Sequence, residues 1–138
     1  MDHREQRVLA REVFAGIPEM VAVVGNEDCC FDDIAEVAKQ HREACLATVD
    51  QWPSEWCYRW ACNIGDREVM RDRVTESEWC YYLARCIGDR EIMRDRVTES
   101  KWCYWWARGI GDREFMRERI TEPKWVALWN ANIQEEHK

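Results

Sequence analysis

The sequence predicts an all-α protein, an α-solenoid of stacked helix pairs with a divergent N-terminal helical cap. Three segments align without gaps at a period of 23 residues, namely 54–76, 77–99 and 100–122. Fifteen of the 23 positions carry the same residue in all three copies. The chain has only six Gly and three Pro, which disfavours a turn-rich all-β fold. Copies this short bury a core only by stacking on one another.

Each copy predicts two short helices joined by an Ile-Gly-Asp turn. A serine (Ser54 in the first copy) is expected to cap the first helix, which runs for about ten residues. Gly65 ends that helix because glycine takes the left-handed conformation at little cost. Asp66 follows and is suited to cap the second helix, which covers the segment DREVMRDRV.

Apolar residues recur along one side of both predicted helices. In the first copy, the stripe of the first helix contains Trp56, Trp60 and Ile64. The stripe of the second helix contains Val69, Met70 and Val74. The other copies repeat the second stripe as Ile92, Met93, Val97 and as Phe115, Met116, Ile120. These stripes, with the repeated tryptophans Trp56, Trp79, Trp102 and Trp125, are predicted to form the core.

The segments that flank the repeats are predicted to cap the stack. Residues 1–53 carry helical patterns over about 4–24 and 31–49, separated by Gly25-Asn26. Residues 123–138 keep part of the repeat pattern and are interpreted as a C-terminal capping helix. The predicted organisation is therefore a cap over 1–53 and a repeat region over 54–138, since the ends of an open stack need a polar outer face.

The repeated residues carry a resemblance to a known class of repeats. They are the Met-Arg-x-Arg-Val helix (70–74 and 93–97), the Leu/Trp-Ala pair (83–84 and 106–107) and the Ile-Gly-Asp turn. Over residues 54–133 the pattern resembles the short helical-pair solenoids of the HEAT-like and leucine-rich-variant type. Trp replaces the usual aliphatic residues, and the Pro of the inter-helix turn is absent. The resemblance implies an architecture and no activity.

The resemblance raises the question of an iron–sulfur module, which some leucine-rich-variant proteins carry near the N-terminus. Here only Cys29 and Cys30 lie in that region, with Cys45 well separated, so that cofactor is not expected.

The repeats carry a cysteine at one equivalent position. Equivalent repeat positions lie about 10 Å apart, too far for a disulfide or a shared zinc ion. The repeated cysteines are therefore interpreted as small buried residues; they are Cys57, Cys80 and Cys103.

Two sets of repeated side chains are candidates for binding a partner. The first is an aromatic strip, expected to be exposed, made of Tyr58, Arg59, Tyr81, Tyr82, Tyr104 and Trp105. Such residues anchor protein interfaces, although packing beneath a neighbouring helix is the alternative. The second is an arginine ladder that includes Arg71, Arg94 and Arg117. Three interpretations of this ladder stay open. Its arginines form solvated ion pairs, a partly buried hydrogen-bonding ladder or a track that binds phosphate groups.

The charge distribution indicates what kind of partner to expect. The net charge is −7, and residues 1–53 hold 5 basic and 11 acidic residues. Basic nucleic-acid binders show the opposite balance, so nucleic acid is not the expected partner. The acidic cap supports a second hypothesis, an inhibitor or regulator of a nucleic-acid-binding protein that acts through residues 27–50.

The sequence predicts no catalytic residue, cofactor or metal ligand. His41 and Cys45 share a helical spacing, but no third group is evident to orient them. No glycine-rich phosphate loop or metal-ligand spacing is present. A cysteine-dependent metal or redox role, for example through the vicinal Cys29-Cys30, is the third hypothesis.

The favoured hypothesis is a non-catalytic protein-binding module with a protein partner. Homo-oligomerisation through the ends of the stack is a further possibility, because open solenoid ends invite stacking. The chain has no apolar run of membrane-spanning length and no secretory signal, so a cytoplasmic location without membrane insertion is expected.

Overall fold

The computed structural model describes residues 2–26 and 30–133, and all regular structure within them is helical. The predicted all-α fold class is therefore confirmed. The chain forms two compact units, Met1–Arg73 and Val74–Lys138, called the N-terminal unit and the C-terminal unit below. Residues 54–73 of the first repeat lie in the N-terminal unit with residues 1–53, whereas the end of that repeat and the second and third repeats lie in the C-terminal unit.

The N-terminal unit holds six α-helices and one short 3-10 helix in its described part. They are α1 (His3–Val13), α2 (Pro18–Gly25), α3 (Phe31–Gln40), α4 (Arg42–Leu46), the 3-10 helix Val49–Gln51, α5 (Ser54–Asn63) and α6 (Arg67–Arg73). The helix predicted over 4–24 is divided in two because Pro18 has no N–H to donate and occupies the first turn of α2. The helix predicted over 31–49 is likewise divided at His41, whose φ of −119° departs from helical values.

The C-terminal unit consists of stacked helix pairs. Its helices are α7 (Ser77–Cys86), α8 (Arg90–Arg96), α9 (Ser100–Gly109), α10 (Arg113–Arg119) and α11 (Pro123–Asn132). α7 packs on its own partner α8 and on α9, and α9 packs on α10 and on α11. The predicted order of a ten-residue helix, a turn and a shorter helix is thus confirmed in both copies of this unit.

The Ile-Gly-Asp turn departs from the predicted capping chemistry. The glycines Gly65, Gly88 and Gly111 have φ between 135° and 142°, and the aspartates Asp66, Asp89 and Asp112 have φ between 53° and 60°. Neither Asp89 nor Asp112 makes a side-chain cap bond to the helix that it precedes. The predicted N-cap role is wrong for both, because side-chain capping needs an extended backbone at the capping residue and not a left-handed one.

The serine that opens each repeat also has a different role from the predicted one. Ser77 and Ser100 are the first helical residues, buried, and the capping position before each is a glutamate. The Ser77 hydroxyl accepts the backbone N–H of Thr98 at 3.0 Å, one repeat further along the chain. The equivalent bond joins Thr121 N to Ser100 Oγ at 3.0 Å. These hydroxyls therefore connect neighbouring copies.

The core of the repeats is narrower than the apolar pattern predicts. The fully buried positions in the C-terminal unit include Cys80, Leu83, Met93, Val97, Cys103, Trp106 and Met116. The prediction of buried cysteines is confirmed, and Cys57 is buried as well. Val69 and Ile92, however, are 44% and 38% exposed, and Phe115 is half-buried. They lie about 100° around the helix from the inward methionine that follows each of them, so they were wrongly assigned to the core.

Two arginines donate hydrogen bonds to backbone carbonyl groups in the C-terminal unit. Arg119 Nη1 donates to the carbonyl oxygens of Val97 at 2.8 Å and Asp95 at 3.0 Å, at the end of α8. Arg96 Nη1 donates to Val74 O at 2.9 Å, at the start of the same unit. A cation at a helix C-terminus satisfies carbonyls that have no intrahelical partner and interacts well with the helix dipole. Part of the arginine ladder thus forms hydrogen bonds between copies.

Candidate functional site

The structure separates the predicted aromatic strip into buried and accessible members. Tyr81 and Tyr104 are only 5% and 2% exposed, so the predicted exposure is wrong for these two residues. Tyr82 is half-buried and Trp105 is 37% exposed. A tryptophan near the start of the first helix of the following copy packs against each of these tyrosines, Trp102 against Tyr81 and Trp125 against Tyr104. This agrees with the alternative interpretation of the strip, packing beneath a neighbouring helix.

Two ring clusters of the same design follow each other in the C-terminal unit. Tyr81 lies at the centre of the first, with ring centroids 5.3 Å from Tyr82 and 5.6 Å from Trp102. Tyr104 lies at the centre of the second, 5.3 Å from Trp105 and 5.4 Å from Trp125. Each buried tyrosine therefore holds one ring from its own helix and one from the next copy. Such tilted and edge-on contacts stabilise ring pairs beyond the area they bury.

The accessible rings form what we call the aromatic face: Trp79, Tyr82, Trp102, Trp105 and Trp125. All of them are half-buried except Trp105, which is exposed. Trp79, Trp102 and Trp125 were predicted to lie in the core. They are only half-buried, so the prediction is wrong for these three residues. They lie three residues before the Tyr82 and Trp105 position, on the same side of the helix, and so share its partial exposure.

Basic side chains lie over these rings. The Lys101 ammonium is 5.1 Å from the Trp102 ring, and Lys124 is 5.3 Å from the Trp125 ring. The Arg108 guanidinium lies 5.8 Å from the Trp105 ring, and its Nη1 donates to Tyr104 Oη at 3.3 Å. These are cation–π distances. Together α7, α9 and α11 carry four basic residues and a single acidic one.

The other predicted site residues lie elsewhere. Tyr58 and Arg59 are half-buried residues of the N-terminal unit. Arg71, Arg94 and Arg117 are also half-buried, on the second helices of their repeats. Arg94 lies 4.5 Å from the Phe115 ring, and its Nη1 is 3.7 Å from an Asp112 oxygen. The charge of Arg94 is therefore balanced by a neighbouring copy.

The turn aspartates make interactions that sequence reasoning missed. Asp112 Oδ2 accepts from Trp106 Nε1 at 3.0 Å and from Arg90 Nε at 2.9 Å. Asp66 likewise accepts from Trp60 Nε1 at 2.8 Å and from Arg42 Nε at 2.9 Å. The available signal was the tryptophan six residues before the aspartate in the first and third copies, where the second copy has leucine.

These contacts lower the pKa of both carboxyl groups. The hydrogen bond from Arg42 is the main cause for Asp66, helped by the bond from Trp60 and opposed by partial burial. For Asp112, partial burial alone would raise the pKa. The hydrogen bonds from Arg90 and Trp106 and the nearby guanidinium charges outweigh it, so that the pKa of Asp112 is also lowered.

A second candidate site is a cleft of about 500 Å³ within the N-terminal unit. Its walls come from α1, α2, α3 and α5, together with the segment that precedes α5. Five aromatic rings line it: Phe14, Phe31, Trp52, Trp56 and Trp60. The Phe14 ring stacks on Trp56 at 5.9 Å, and the Trp52 and Trp60 centroids are 5.0 Å apart. Sequence reasoning missed this cleft because its walls are distant in the chain.

Polar residues also line this cleft. Glu55 accepts from Gln6 Nε2 at 3.1 Å through one oxygen and from Arg59 Nε at 3.0 Å through the other. The Arg59 guanidinium lies 5.5 Å from the Phe31 ring. Arg7 contributes a second guanidinium to the lining, and its Nη1 atom is shielded from solvent.

The residues considered for catalysis and metal binding are placed as follows. His41 Nε2 lies 3.6 Å from Glu19 Oε2, and Cys45 is fully buried, which raises the pKa of its thiol to about 11. A thiol with so high a pKa is a poor nucleophile at neutral pH. Among the described residues, no three His, Cys, Asp or Glu side chains come together as a metal site would require. Cys30 is exposed, whereas Cys29 lies outside the described residues.

The acidic segment over 27–50 is only partly described, since residues 27–29 lie outside the described ranges. In its described part, Glu36 pairs with Lys39 at 3.1 Å and Asp50 pairs with Arg73. Asp32, Asp33 and Glu43 are exposed. None of the helices in 2–26 or 30–133 has the length and apolar character needed to cross a membrane.

Comparisons of the chain with protein-family models, with curated proteins and with solved structures find no match. The resemblance to HEAT-like and leucine-rich-variant repeats therefore stays a prediction. The aromatic face and the cleft are the two candidate sites of the described residues.

Proposed function

We propose that the chain is a non-catalytic protein-binding repeat module whose aromatic face binds an acidic segment of a partner protein. The observation that carries this proposal is the repeated unit of a buried tyrosine, two accessible rings and overlying cations. This unit occurs twice in the C-terminal unit, around Tyr81 and around Tyr104. A binding surface that repeats along a stack suits an extended partner.

The rings of the aromatic face are of the type that supplies most of the binding energy at protein interfaces. Trp, Tyr and Arg dominate the residues whose truncation costs most affinity. Here Trp102 and Trp125 are held by the buried tyrosines of the preceding copy. A ring that is already fixed loses little conformational entropy on binding, which favours affinity.

The charge on these helices favours an acidic partner. Four basic residues and one acidic residue lie on α7, α9 and α11, although the chain as a whole has a net charge of −7. Exposed glutamates occupy the N-cap positions of these helices, so the positive charge is concentrated within the helices beside the rings. Opposite charges steer encounter and select against basic partners.

The test is affinity capture from a lysate of the source organism with four baits. They are the wild-type chain, Trp105→Ala, Arg108→Gln and a control, Ile92→Ala, which removes an exposed side chain of α8. We expect the wild-type and control baits to retain the same acidic protein and the two aromatic-face variants to lose about tenfold or more of it. Circular dichroism verifies that all four baits are folded.

Two outcomes contradict the proposal. Equal retention by all four baits removes the aromatic face from the interaction. Loss of the captured species after nuclease treatment would mean that nucleic acid, and not a protein, is what the basic side chains bind.

A further inference from the structure

We infer that the acidic partner segment crosses α7 and α9 as a polyproline II helix, with carboxylates three residues apart that pair with Arg85 and Arg108. This inference rests on the proposed function, and it specifies the conformation and the charge spacing of the segment that the aromatic face binds. Three observations carry it: two equivalent arginines, the spacing of the helices that hold them, and the rings beside them.

Arg85 and Arg108 occupy the same position in successive copies and make the same contacts. Each reaches back one turn of its own helix, where its Nη1 atom donates to the hydroxyl oxygen of a buried tyrosine at 3.3 Å, Tyr81 for Arg85 and Tyr104 for Arg108. The guanidinium groups lie 6.0 Å and 5.9 Å from the centres of the same two rings. Both side chains are therefore held in place, which lowers the entropy that they lose when they bind an anion.

The two arginines have donors to offer to an acidic partner. Both are exposed, and within the described residues neither forms an ion pair with a carboxylate. The acidic residues of α7 and α9 and of their N-cap positions, Glu76, Glu78 and Glu99, lie in or before the first turn, whereas the arginines lie in the last turn. The planar donors of a guanidinium match a carboxylate.

The packing of the helices determines the distance between the two arginines. α7 packs directly on α9, and the axes of packed helices lie about 8–10 Å apart. A polyproline II helix has three residues per turn and rises about 3.1 Å per residue. Residues three apart are therefore about 9.3 Å apart and project from the same side. Carboxylates at such positions match arginines on neighbouring helices.

Other backbone conformations match this spacing less well. In a β-strand, residues three apart span about 10 Å, but their side chains project from opposite faces. In an α-helix, residues seven apart span about 10.5 Å on one face, so a partner helix would meet an arginine only at every second turn. A polyproline II helix makes this contact at every turn, which suits a surface that repeats with each copy.

The rings beside the arginines suit proline. Trp79 and Trp102 both contact Tyr82, with centroid distances of 5.5 Å and 5.7 Å, so these rings continue from one copy to the next. The exposed Trp105 ring lies 5.8 Å from the Arg108 guanidinium. Proline-rich segments dock on aromatic surfaces and lose little entropy, because the polyproline II helix is already formed in the free segment. Prolines on the rings and carboxylates on the arginines would thus occupy one surface together.

The first experiment compares three labelled peptides that have equal composition and charge and differ only in the spacing of two glutamates. They are PPEPPEPP, PPEPEPPP and PEPPPEPP, with glutamates three, two and four positions apart. Fluorescence anisotropy with the full chain measures their affinities at low ionic strength, because salt screens exposed charges. We expect PPEPPEPP to bind about fivefold more tightly than either of the others, since only this peptide pairs with both arginines. Equal affinities, or no binding of any of the three, would overturn the inference.

Matched variants test the two arginines. Arg85→Gln and Arg108→Gln remove one charge each, and Arg4→Gln removes a charge at an exposed position of α1 in the N-terminal unit. We expect each of the first two variants to bind PPEPPEPP about as weakly as PPEPEPPP, and Arg4→Gln to keep the wild-type preference. If Arg85→Gln and Arg108→Gln kept that preference while folded by circular dichroism, the assignment of the two carboxylates would be wrong.

A fourth peptide separates the failure of this inference from the failure of the proposed function. It is an α-helix of alanine and glutamine with two glutamates seven positions apart, which places the same charge at nearly the same spacing. Tighter binding of this helix than of PPEPPEPP would overturn the polyproline II conformation and keep an acidic partner on the aromatic face. Undiminished capture of the acidic protein by the Trp105→Ala bait would overturn both.

Discussion

At the scale of single residues, the serine that opens each repeat shows how a neighbouring copy changes a side chain's role. A serine at the start of a helix usually accepts an N–H of its own first turn. Ser100 instead accepts the N–H groups of Thr121 at 3.0 Å and Glu122 at 3.2 Å. Its hydroxyl therefore satisfies backbone donors that follow α10, and it links two copies.

We predict that Ser100→Ala destabilises the chain by about 1–3 kcal/mol, because it leaves partly buried backbone N–H groups without an acceptor. Urea unfolding followed by circular dichroism measures the change. Thr121→Ala is the matched control: it alters an exposed side chain beside the same hydrogen bond and should cost less than about 0.5 kcal/mol. Equal losses in the two variants would contradict the bridging role.

The paired aromatic residues show a second effect at this scale. Tyr81 and Tyr82 are adjacent and were predicted together as surface residues, yet only Tyr82 stays accessible. The ring of Trp102, which covers Tyr81, is 21 residues away in the sequence. Adjacent helical positions differ by about 100° in direction, so one faces the next copy and the other faces outward.

At the scale of elements, the Ile-Gly-Asp turn controls how each helix pair is joined. Gly111 has φ +135°, and a Cβ placed on it would come within 2.7 Å of Arg90 Nη2. The following Asp112 is itself left-handed, at φ 53°. Two successive residues with positive φ make the turn tight enough for the aspartate to reach Trp106 and Arg90.

We predict that Gly111→Ala destabilises the chain by about 1–3 kcal/mol, because an L side chain is strained at this φ and displaces Arg90 from Asp112. Gly16→Ala is the control, since a Cβ at Gly16 meets nothing within 4 Å. Thermal unfolding of the two variants should show a clear decrease only for Gly111→Ala. A similar midpoint for both would show that the turn tolerates a side chain.

At the scale of the whole molecule, the lowered pKa values of Asp66 and Asp112 make stability depend on pH. A carboxyl group whose pKa is lower in the folded state stabilises that state when it is ionised. The contribution is complete above the unfolded pKa of about 4 and is lost as the pH falls through the lower, folded value. Asp66 lies in the N-terminal unit and Asp112 in the C-terminal unit, so both units are expected to lose stability in acid.

We predict that the free energy of unfolding decreases between pH 5 and pH 2.5, and that it decreases less in the double variant Asp66→Asn, Asp112→Asn. Urea unfolding at a series of pH values measures both curves. The variant starts from a lower stability at pH 7, because the ion pairs with Arg42 and Arg90 are absent. Parallel curves for the two proteins would assign the acid sensitivity to other carboxyl groups.

The features that depend on local interactions were predictable from the amino-acid sequence. Helix periodicity, the 23-residue repeat and the glycine turn predicted the helix pairs. The spacing of about 10 Å between copies, too long for a disulfide or a shared zinc ion, favoured buried Cys80 and Cys103. These features follow from backbone geometry and from positions a few residues apart. The predicted break at Gly25-Asn26 was correct for the same reason, whereas the effect of Pro18 within its predicted helix was overlooked.

The accessibility of the rings and the position of the cleft depend on how the helices pack. The burial of Tyr104 depends on Trp125, and one of the hydrogen bonds of Asp112 comes from Arg90 of the preceding copy. The cleft forms where Phe14, which follows α1, comes together with Phe31 of α3 and Trp56 of α5. A local pattern specifies the direction of a side chain on its own helix. The side chains that cover it come from elsewhere in the chain, so the packing of the helices determines its exposure and its charge environment.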